Sequence, residues 1–350
     1  MIVDVVVDVQ RGDCGKGKIS KCLIEEYGYD IVAKYNGGGN AGHAVWIDEN
    51  KFTAHYLTSG IYFPNTKIII GPGCVVNPEE FLTEYNSFNA HFKLDGRVFI
   101  HPYAHIIQSK HIEVDDVDNK IGTTKKGIGP AYSDKYNRTG IRAENCPELK
   151  QFLITDKRFI KTLGNPNRIL MEGSQGWWLD IDWGKYPYVT SSHIHPAFAF
   201  ATFGISLSEL GTVFGVCKPY ETYVGSSEDE VHCSKEDEEL LRTIGHEYGE
   251  TTGRARKIGY LQLDNLIEAI NRTGVDCLIF NKMDVVEETK IFKLFKSYIS
   301  NYNFRRVYTF HSVEDFKNEI CKEIKQNCPS ITEIIFSGSK QGDDISGNLP

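Results

Sequence analysis

The sequence predicts an α/β fold in which a large, mostly parallel central sheet is flanked by helices. Two observations predict it. Short apolar, β-branched segments end again and again in glycine-rich loops, and stretches with helical apolar spacing lie between them.

Residues 2–9 run apolar and β-branched, broken by Asp4 and Asp8, and read as a buried strand. A glycine-rich stretch follows, then helical spacing over Ile19–Tyr27. A second strand over Asp30–Tyr35 enters the loop NGGGNAGH, and Lys67–Ile70 enters GPG. Further strands are expected at Arg97–Ile100, Arg168–Met171, Thr212–Cys217, Cys277–Phe280 and Glu333–Phe336. Helices are expected at Pro78–Asn86, Ser234–Thr243, Leu261–Arg272 and Val313–Lys325. Strands that deliver glycine-rich loops to one edge suit an open sheet whose ligands sit beyond the strand carboxyl ends. With no internal repeat and no Pro/Ser-rich linker, residues 1–350 are expected to form a single elaborated domain.

Composition removes several function classes. A chain that is 41% hydrophobic and 25% charged has the profile of a globular protein rather than a disordered or fibrous one. A net charge of -8 argues against a nucleic-acid surface, which depends on clustered Lys and Arg. The N-terminal strand is too short and too acidic for a signal peptide or a membrane span, so the chain is expected in the cytoplasm with no membrane partner. Nine scattered cysteines without a CxxC pair read as reduced thiols rather than as a zinc site or disulfide framework.

Two constellations carry chemistry. Gly12, Asp13, Cys14, Gly15, Lys16, Gly17 and Lys18 lie between a strand and a helix, where glycine backbone, a helix N-terminus and the Lys16 charge favour a phosphate. The spacing is not that of the standard phosphate loop. Asp13 would repel a phosphate unless it held Mg²⁺ or took a proton; capping the helix is the plainer alternative. The second constellation, Asn36 to His43, uses three successive glycines to clear side chains from a ligand's path and ends on an imidazole.

GDxGKGK followed by GGxNAGH resembles the signature of the adenylosuccinate synthetase family. The later motifs arrive in family order: IGTTKKGIGPAYSDK (121–135), EGSQG (172–176), LDIDWGKYPYVTSS (179–192), TTGRARKIGYLQLD (251–264) and NKMD (281–284). The resemblance implies a core like that of the P-loop nucleoside triphosphatases with additional small subdomains. It implies an enzyme that phosphorylates the 6-oxygen of a purine nucleotide with a nucleoside triphosphate and then displaces phosphate with the amine of L-aspartate. Asp13 would take the purine N1 proton and hold Mg²⁺ together with the Gly42 carbonyl, His43 would stabilise the transferring phosphoryl group, and Lys16 would contact phosphate. Asn40, Thr124, Arg138, Ser174, Gln175, Thr190 and Arg254 would bind the purine nucleotide. Thr251, Thr252, Arg254 and Arg256 would bind aspartate. Gly12, Gly15, Lys16, Gly17, Lys18, Gly42, Asn281, Lys282, Asp284 and Gly338 would bind the triphosphate donor, with Asp284 reading a guanine and Lys282 packing on it. Family members are homodimers in which a basic residue reaches the partner's nucleotide; Arg138 is the candidate here, Asn137 the alternative.

Several positions depart from the family pattern. Arg11 and Cys14 replace Trp and Glu beside Asp13, Ser174 replaces Ala in EGAQG, Ala44 replaces Thr after NAGH, and Lys126 replaces Arg in GTTGRG. TYVGSSEDE from Thr222 lacks the Arg and the GPFPTE tail of bacterial members, and the length resembles the short archaeal and viral branches. Some viral relatives accept GMP or dGMP in place of IMP, and Ser174 or a contracted Cys14 would accommodate the extra 2-amino group. The expected acceptor is therefore IMP, with GMP or dGMP as the alternative, and the donor GTP or ATP. A GTPase switch is the competing class, supported by NKMD and the phosphate loop; a catalytically dead binding protein is the third.

Overall fold

The computed structural model describes residues 1–47, 50–117, 122–155, 164–224, 233–249, 253–297 and 305–338. The chain begins with β1 (Ile2–Asp8), α1 (Lys16–Tyr27), β2 (Ile31–Lys34), β3 (His43–Ile47), β4 (Asn50–Ala54), β5 (Lys67–Ile70) and β6 (Val75–Val76). It continues through α2 (Pro78–Phe92), β7 (Val98–Ile100), β8 (His105–Ile106), α3 (Ser109–Val117), α4 (Ile128–Asn137), β9 (Arg168–Glu172) and α5 (Pro196–Phe203). The rest comprises β10 (Leu210–Cys217), β11 (Tyr220–Tyr223), α6 (Lys235–Gly245), β12 (Lys257–Gln262), α7 (Leu263–Thr273), β13 (Cys277–Phe280), α8 (Met283–Thr289), β14 (Lys293–Ser297), β15 (Arg305–Thr309), α9 (Val313–Asn327) and β16 (Glu333–Phe336).

Eight strands form one sheet in the order β16-β13-β10-β1-β9-β2-β5-β7, and every neighbouring pair is parallel. The reason is visible in β1. Val3 and Val5 pack with Phe200 of α5 on one face, while Val6 packs with Ile19 and Leu23 of α1 on the other, so a strand buried on both sides needs apolar residues at every position. Asp4 does not break the strand. Buried completely, it accepts from Tyr29 Oη at 2.6 Å, Arg168 Nε at 2.9 Å and Thr212 N at 2.7 Å, which ties the first strand to both neighbours.

The hairpin β3-β4, the pair β6-β8 and a second sheet in the order β11-β12-β14-β15 are additions that the apolar pattern did not foretell. The second sheet matters for function because Arg256 lies at the entrance to β12 and Tyr223 at the end of β11. Among the described residues no helix is long and apolar enough to cross a membrane.

His101, just past the end of β7, and His105, in β8, are both buried, and burial lowers both imidazoles to about 4. The unfolded chain takes up these protons near pH 6.5, but the folded protein does not. Stability is therefore intact above that pH and is lost as pH falls toward 4, at up to ~1.4 kcal/mol per pH unit for each residue. Urea midpoints at pH 7.5 and pH 5 should differ in this sense, and by less in a His101→Gln, His105→Gln double variant; equal losses in both proteins would contradict the assignment.

Candidate active site

The carboxyl ends of six adjacent strands, β16, β13, β10, β1, β9 and β2, all release their chains toward the same edge, as a parallel sheet requires. The segments that follow β1, β2, β9, β10–β11 and β13 line a single cavity of about 910 Å³. Asp13, Lys16, Lys18, Asn40, Gly42, His43, Thr124, Ser174, Gln175, Thr190, Arg256, Asn281 and Lys282 all border it, with Gly12, Gly15 and Gly17. Residues predicted from separate motifs up to 270 positions apart thus share one space (Gly12 to Lys282).

The phosphate loop is shaped by a residue that sequence reasoning missed. Asp8, wholly buried at the end of β1, accepts from the backbone N–H groups of Gln10 at 3.0 Å, Gly12 at 3.2 Å and Cys14 at 3.0 Å, and its Oδ2 lies 3.6 Å from Lys16 Nζ. The Gly12 amide is therefore committed to Asp8 rather than offered to a ligand. Amides at the start of α1 are left for an anion. Gly15 is its N-cap, in left-handed geometry, and no side chain caps the helix. The first-turn N–H groups of Lys16, Gly17 and Lys18 thus present the positive end of the helix to the cavity. Asp13 is consequently not the capping residue that the plainer reading of the loop allowed.

Lys16 Nζ donates to the Gln175 carbonyl at 2.6 Å and Lys18 Nζ to Ser337 Oγ at 3.0 Å and the Gly338 carbonyl at 2.5 Å, so the first turn of α1 joins the loops after β9 and β16. Gly338 is thereby placed at the phosphate loop, although it does not border the cavity. Asn281 Nδ2 donates to the Cys14 carbonyl at 3.1 Å, and a Cβ on Gly15 would stand 2.1 Å from that Nδ2, which leaves only glycine at this contact.

His43 stands over the same turn: a Cβ on Gly17 would lie 3.2 Å from its Cβ, Cγ and Cδ2. Burial, reinforced by Lys34, His55 and Lys16, lowers its imidazole below the usual value against the opposing pull of Glu172, so it is neutral at pH 7. Its Nε2 is buried without a protein partner. Both amide atoms of Gln175 are in the same condition, and Gln175 holds a left-handed backbone at φ 58°. Asp13 (φ 59°) and Lys282 (φ 62°) share that conformation. Non-glycine residues in this region cluster at binding sites, where surrounding structure supports the strain.

The two arginines of TTGRAR separate. Arg256 is buried, whereas Arg254 is exposed and does not border the cavity. Arg256 donates to Asp13 Oδ2 from Nε at 3.0 Å and NH2 at 2.8 Å, and to Glu247 Oε2 from NH1 at 2.6 Å. Thr251 and Thr252 lie outside the described residues.

Other expectations change. Cys14 is fully buried, its Sγ donates to Gln10 Oε1 at 3.1 Å, and it does not border the cavity, so it makes no room for a purine substituent. Ser174 does border it. The Lys282 ammonium is engaged by Glu247 Oε1 at 2.8 Å and the Gly245 carbonyl at 2.7 Å, which leaves its alkyl stem to face a base. Asp284, in the first turn of α8, and Arg138, exposed at the end of α4, do not border the cavity.

For Mg²⁺, the Asp13 carboxylate suits a hard cation. It is 44% exposed, both contacts from Arg256 end on Oδ2, and Gly42 borders the same space. Asp180, Asp182 and His193 also converge, but Asp180 already receives the N–H groups of Asp182, Trp183 and Ile194 and so organises its own loop.

Residues 5–154 and 146–345 match the family model of adenylosuccinate synthetase. The chain belongs to the adenylosuccinate synthetase family. The adenylosuccinate synthetase of Streptococcus gordonii is 34% identical over 396 aligned residues, covering 98% of this chain and 90% of the relative. The fully ligated adenylosuccinate synthetase of Plasmodium falciparum has TM-score 0.83 at 26% identity, with 97% of each chain covered. The succinoaminodeoxyadenylate synthetase of cyanophage S-2L, bound to dGMP and to dATP as an energy donor, shares the fold at TM-score 0.76 and 22% identity, over 98% of this chain and 94% of that one. Membership of the adenylosuccinate synthetase family makes the chain a C–N ligase of purine biosynthesis.

Proposed function

We propose that this ligase joins L-aspartate to C6 of IMP, with GTP as donor, through a 6-phosphoryl intermediate, giving adenylosuccinate, GDP and phosphate. The observation that carries the reading is the meeting of Asp13, Lys16, His43 and the unpaired Gln175 amide around one cavity, the phosphate end of which is an uncapped helix N-terminus. Asp13 would accept the N1 proton of the purine, making O6 a nucleophile for the γ-phosphate. His43, neutral and with Nε2 unpartnered, would donate to the transferring phosphoryl group, and the amides of Lys16 to Lys18 would hold the phosphates. Mg²⁺, held by Asp13 and the Gly42 carbonyl, would neutralise charge that develops between the β- and γ-phosphates. Gln175, with Asn40, Thr124 and Thr190, would receive the purine nucleotide, and Arg256 the aspartate. We assign Arg138, or Asn137 beside it, to the cavity of a partner subunit in a homodimer.

Ser174 favours a second reading, in which GMP or dGMP is the acceptor, because its side chain adds a hydroxyl to the cavity wall. Turnover with IMP, GMP and dGMP, each with aspartate and with GTP or ATP, separates the two. Nucleotide hydrolysis that needs neither aspartate nor a purine monophosphate would defeat both and leave a GTPase. In His43→Ala, kcat should fall by about 10²- to 10³-fold with KM nearly unchanged, since the contact strengthens only as charge develops; a change confined to KM would remove His43 from phosphoryl transfer.

A further inference from the structure

Glu247 has no solvent exposure and sits at the centre of a cluster of cations. Its carboxylate accepts from Arg256 NH1 at 2.6 Å, Lys282 Nζ at 2.8 Å, Lys218 Nζ at 3.2 Å and Tyr220 Oη at 2.6 Å. Four donors saturate the lone pairs of a carboxylate. Burial alone would raise this carboxyl, yet Lys218, Lys282 and Arg256 hold it well below the usual carboxylate range. It stays ionised. The Arg256 guanidinium is therefore divided: NH1 is fixed to a carboxylate that has no exposure, while the Nε and NH2 edge rests on Asp13, whose side chain is 44% exposed. A wholly buried pair is costly to break, and a solvated one is not. The edge on Asp13 is the half that can exchange, and it is not used at its best, because both of its N–H groups converge on one oxygen, Oδ2. A free carboxylate would offer that edge two oxygens.

Charge favours the exchange. Lys218, Lys282 and Arg256 bring three positive charges against two negative ones from Glu247 and Asp13. Once Asp13 turns to another ligand, the guanidinium edge is left facing the cavity in a region with excess positive charge.

We propose that Glu247 is a positioning residue: it fixes Arg256 by one nitrogen so that the opposite edge serves two carboxylates in turn, Asp13 in the empty enzyme and that of the amino-acid substrate after the purine nucleotide engages Asp13. The Asp13–Arg256 contact then keeps the amino-acid site closed until the nucleotide is in place. The inference rests on the ligase reading above. Through Lys282, the same carboxylate joins the NKMD loop to this exchange.

The test is calorimetric binding of L-aspartate to the full chain. Wild-type enzyme alone should bind weakly. Asp13→Asn, which keeps the shape and tolerates the left-handed backbone but loses the charge, should bind aspartate about tenfold more tightly without nucleotide, the equivalent of ~1.4 kcal/mol. Equal or weaker binding by the variant overturns the exchange. Glu247→Gln should raise KM for aspartate about tenfold while KM for IMP holds, a split that a general loss of structure would not give; parallel rises in both overturn the positioning role. The underlying reading is tested separately by wild-type enzyme loaded with IMP and a non-hydrolysable GTP analogue. If aspartate binds there but Asp13→Asn shows no gain, only the exchange fails; if it binds in neither state, the ligase reading fails with it.

Discussion

Asp13→Asn should lower kcat by about 10³-fold or more while purine nucleotide still binds. The size follows from the loss of a base at the reacting edge, for which proton transfer contributes 10²- to 10⁴-fold in general, compounded by loss of a charged oxygen ligand for the metal. The fold should survive, because Asp13 is exposed, lies in a loop and pairs through its side chain with Arg256. Single-turnover synthesis and nucleotide binding, measured on the same preparation, separate the two effects. Retained turnover would take Asp13 out of the mechanism, and lost nucleotide binding would mean that it serves the site's shape instead.

Asp8→Ala should act through the opposite route, on shape before chemistry. Three buried N–H groups, those of Gln10, Gly12 and Cys14, lose their acceptor together, and Lys16 loses the anion 3.6 Å from its ammonium. Orphaned buried donors cost about 1–3 kcal/mol each and do not add fully, so a loss of about 3–5 kcal/mol in folding stability is expected. Turnover should fall as well, since the loop that aims the first turn of α1 is no longer fixed. A urea denaturation series with activity at each midpoint would show both; a variant with wild-type midpoint and kcat would mean that the loop holds itself.

The sheet was legible because a strand buried on both faces is apolar throughout, as Cys277–Phe280 is; Lys67–Ile70 and the edge strand Glu333–Phe336, each apolar after its first residue, also appear at the expected bounds. Helix α1 begins at Lys16, not Ile19, because its first turn faces the cavity and carries glycine and lysine instead of the apolar period. The second sheet was hidden by short strands such as Tyr220–Tyr223 and Lys293–Ser297, in which charged and apolar residues mix. Motif residues such as Asp13, His43 and Gln175 could be named because each lies within a recognisable run. Asp8 and Glu247 could not, since an acid at the end of a strand or in a loop has no local signature. The role of Glu247 comes from partners spread along the chain, Lys218, Tyr220, Arg256 and Lys282, and that of Asp8 from the way the loop after β1 folds back onto it.

The centre of the sheet is occupied by a strand made before both of its neighbours. Both neighbours of β1, at 168–172 and 210–217, are encoded far downstream. At translation rates of 5–20 residues per second, an apolar ribbon with open hydrogen-bonding edges waits roughly 10–30 s for its first partner to emerge from the ribosome. During biosynthesis β1 should therefore need shielding, and the yield in a cell should respond to chaperone supply and growth temperature more strongly than the stability of the finished molecule would suggest.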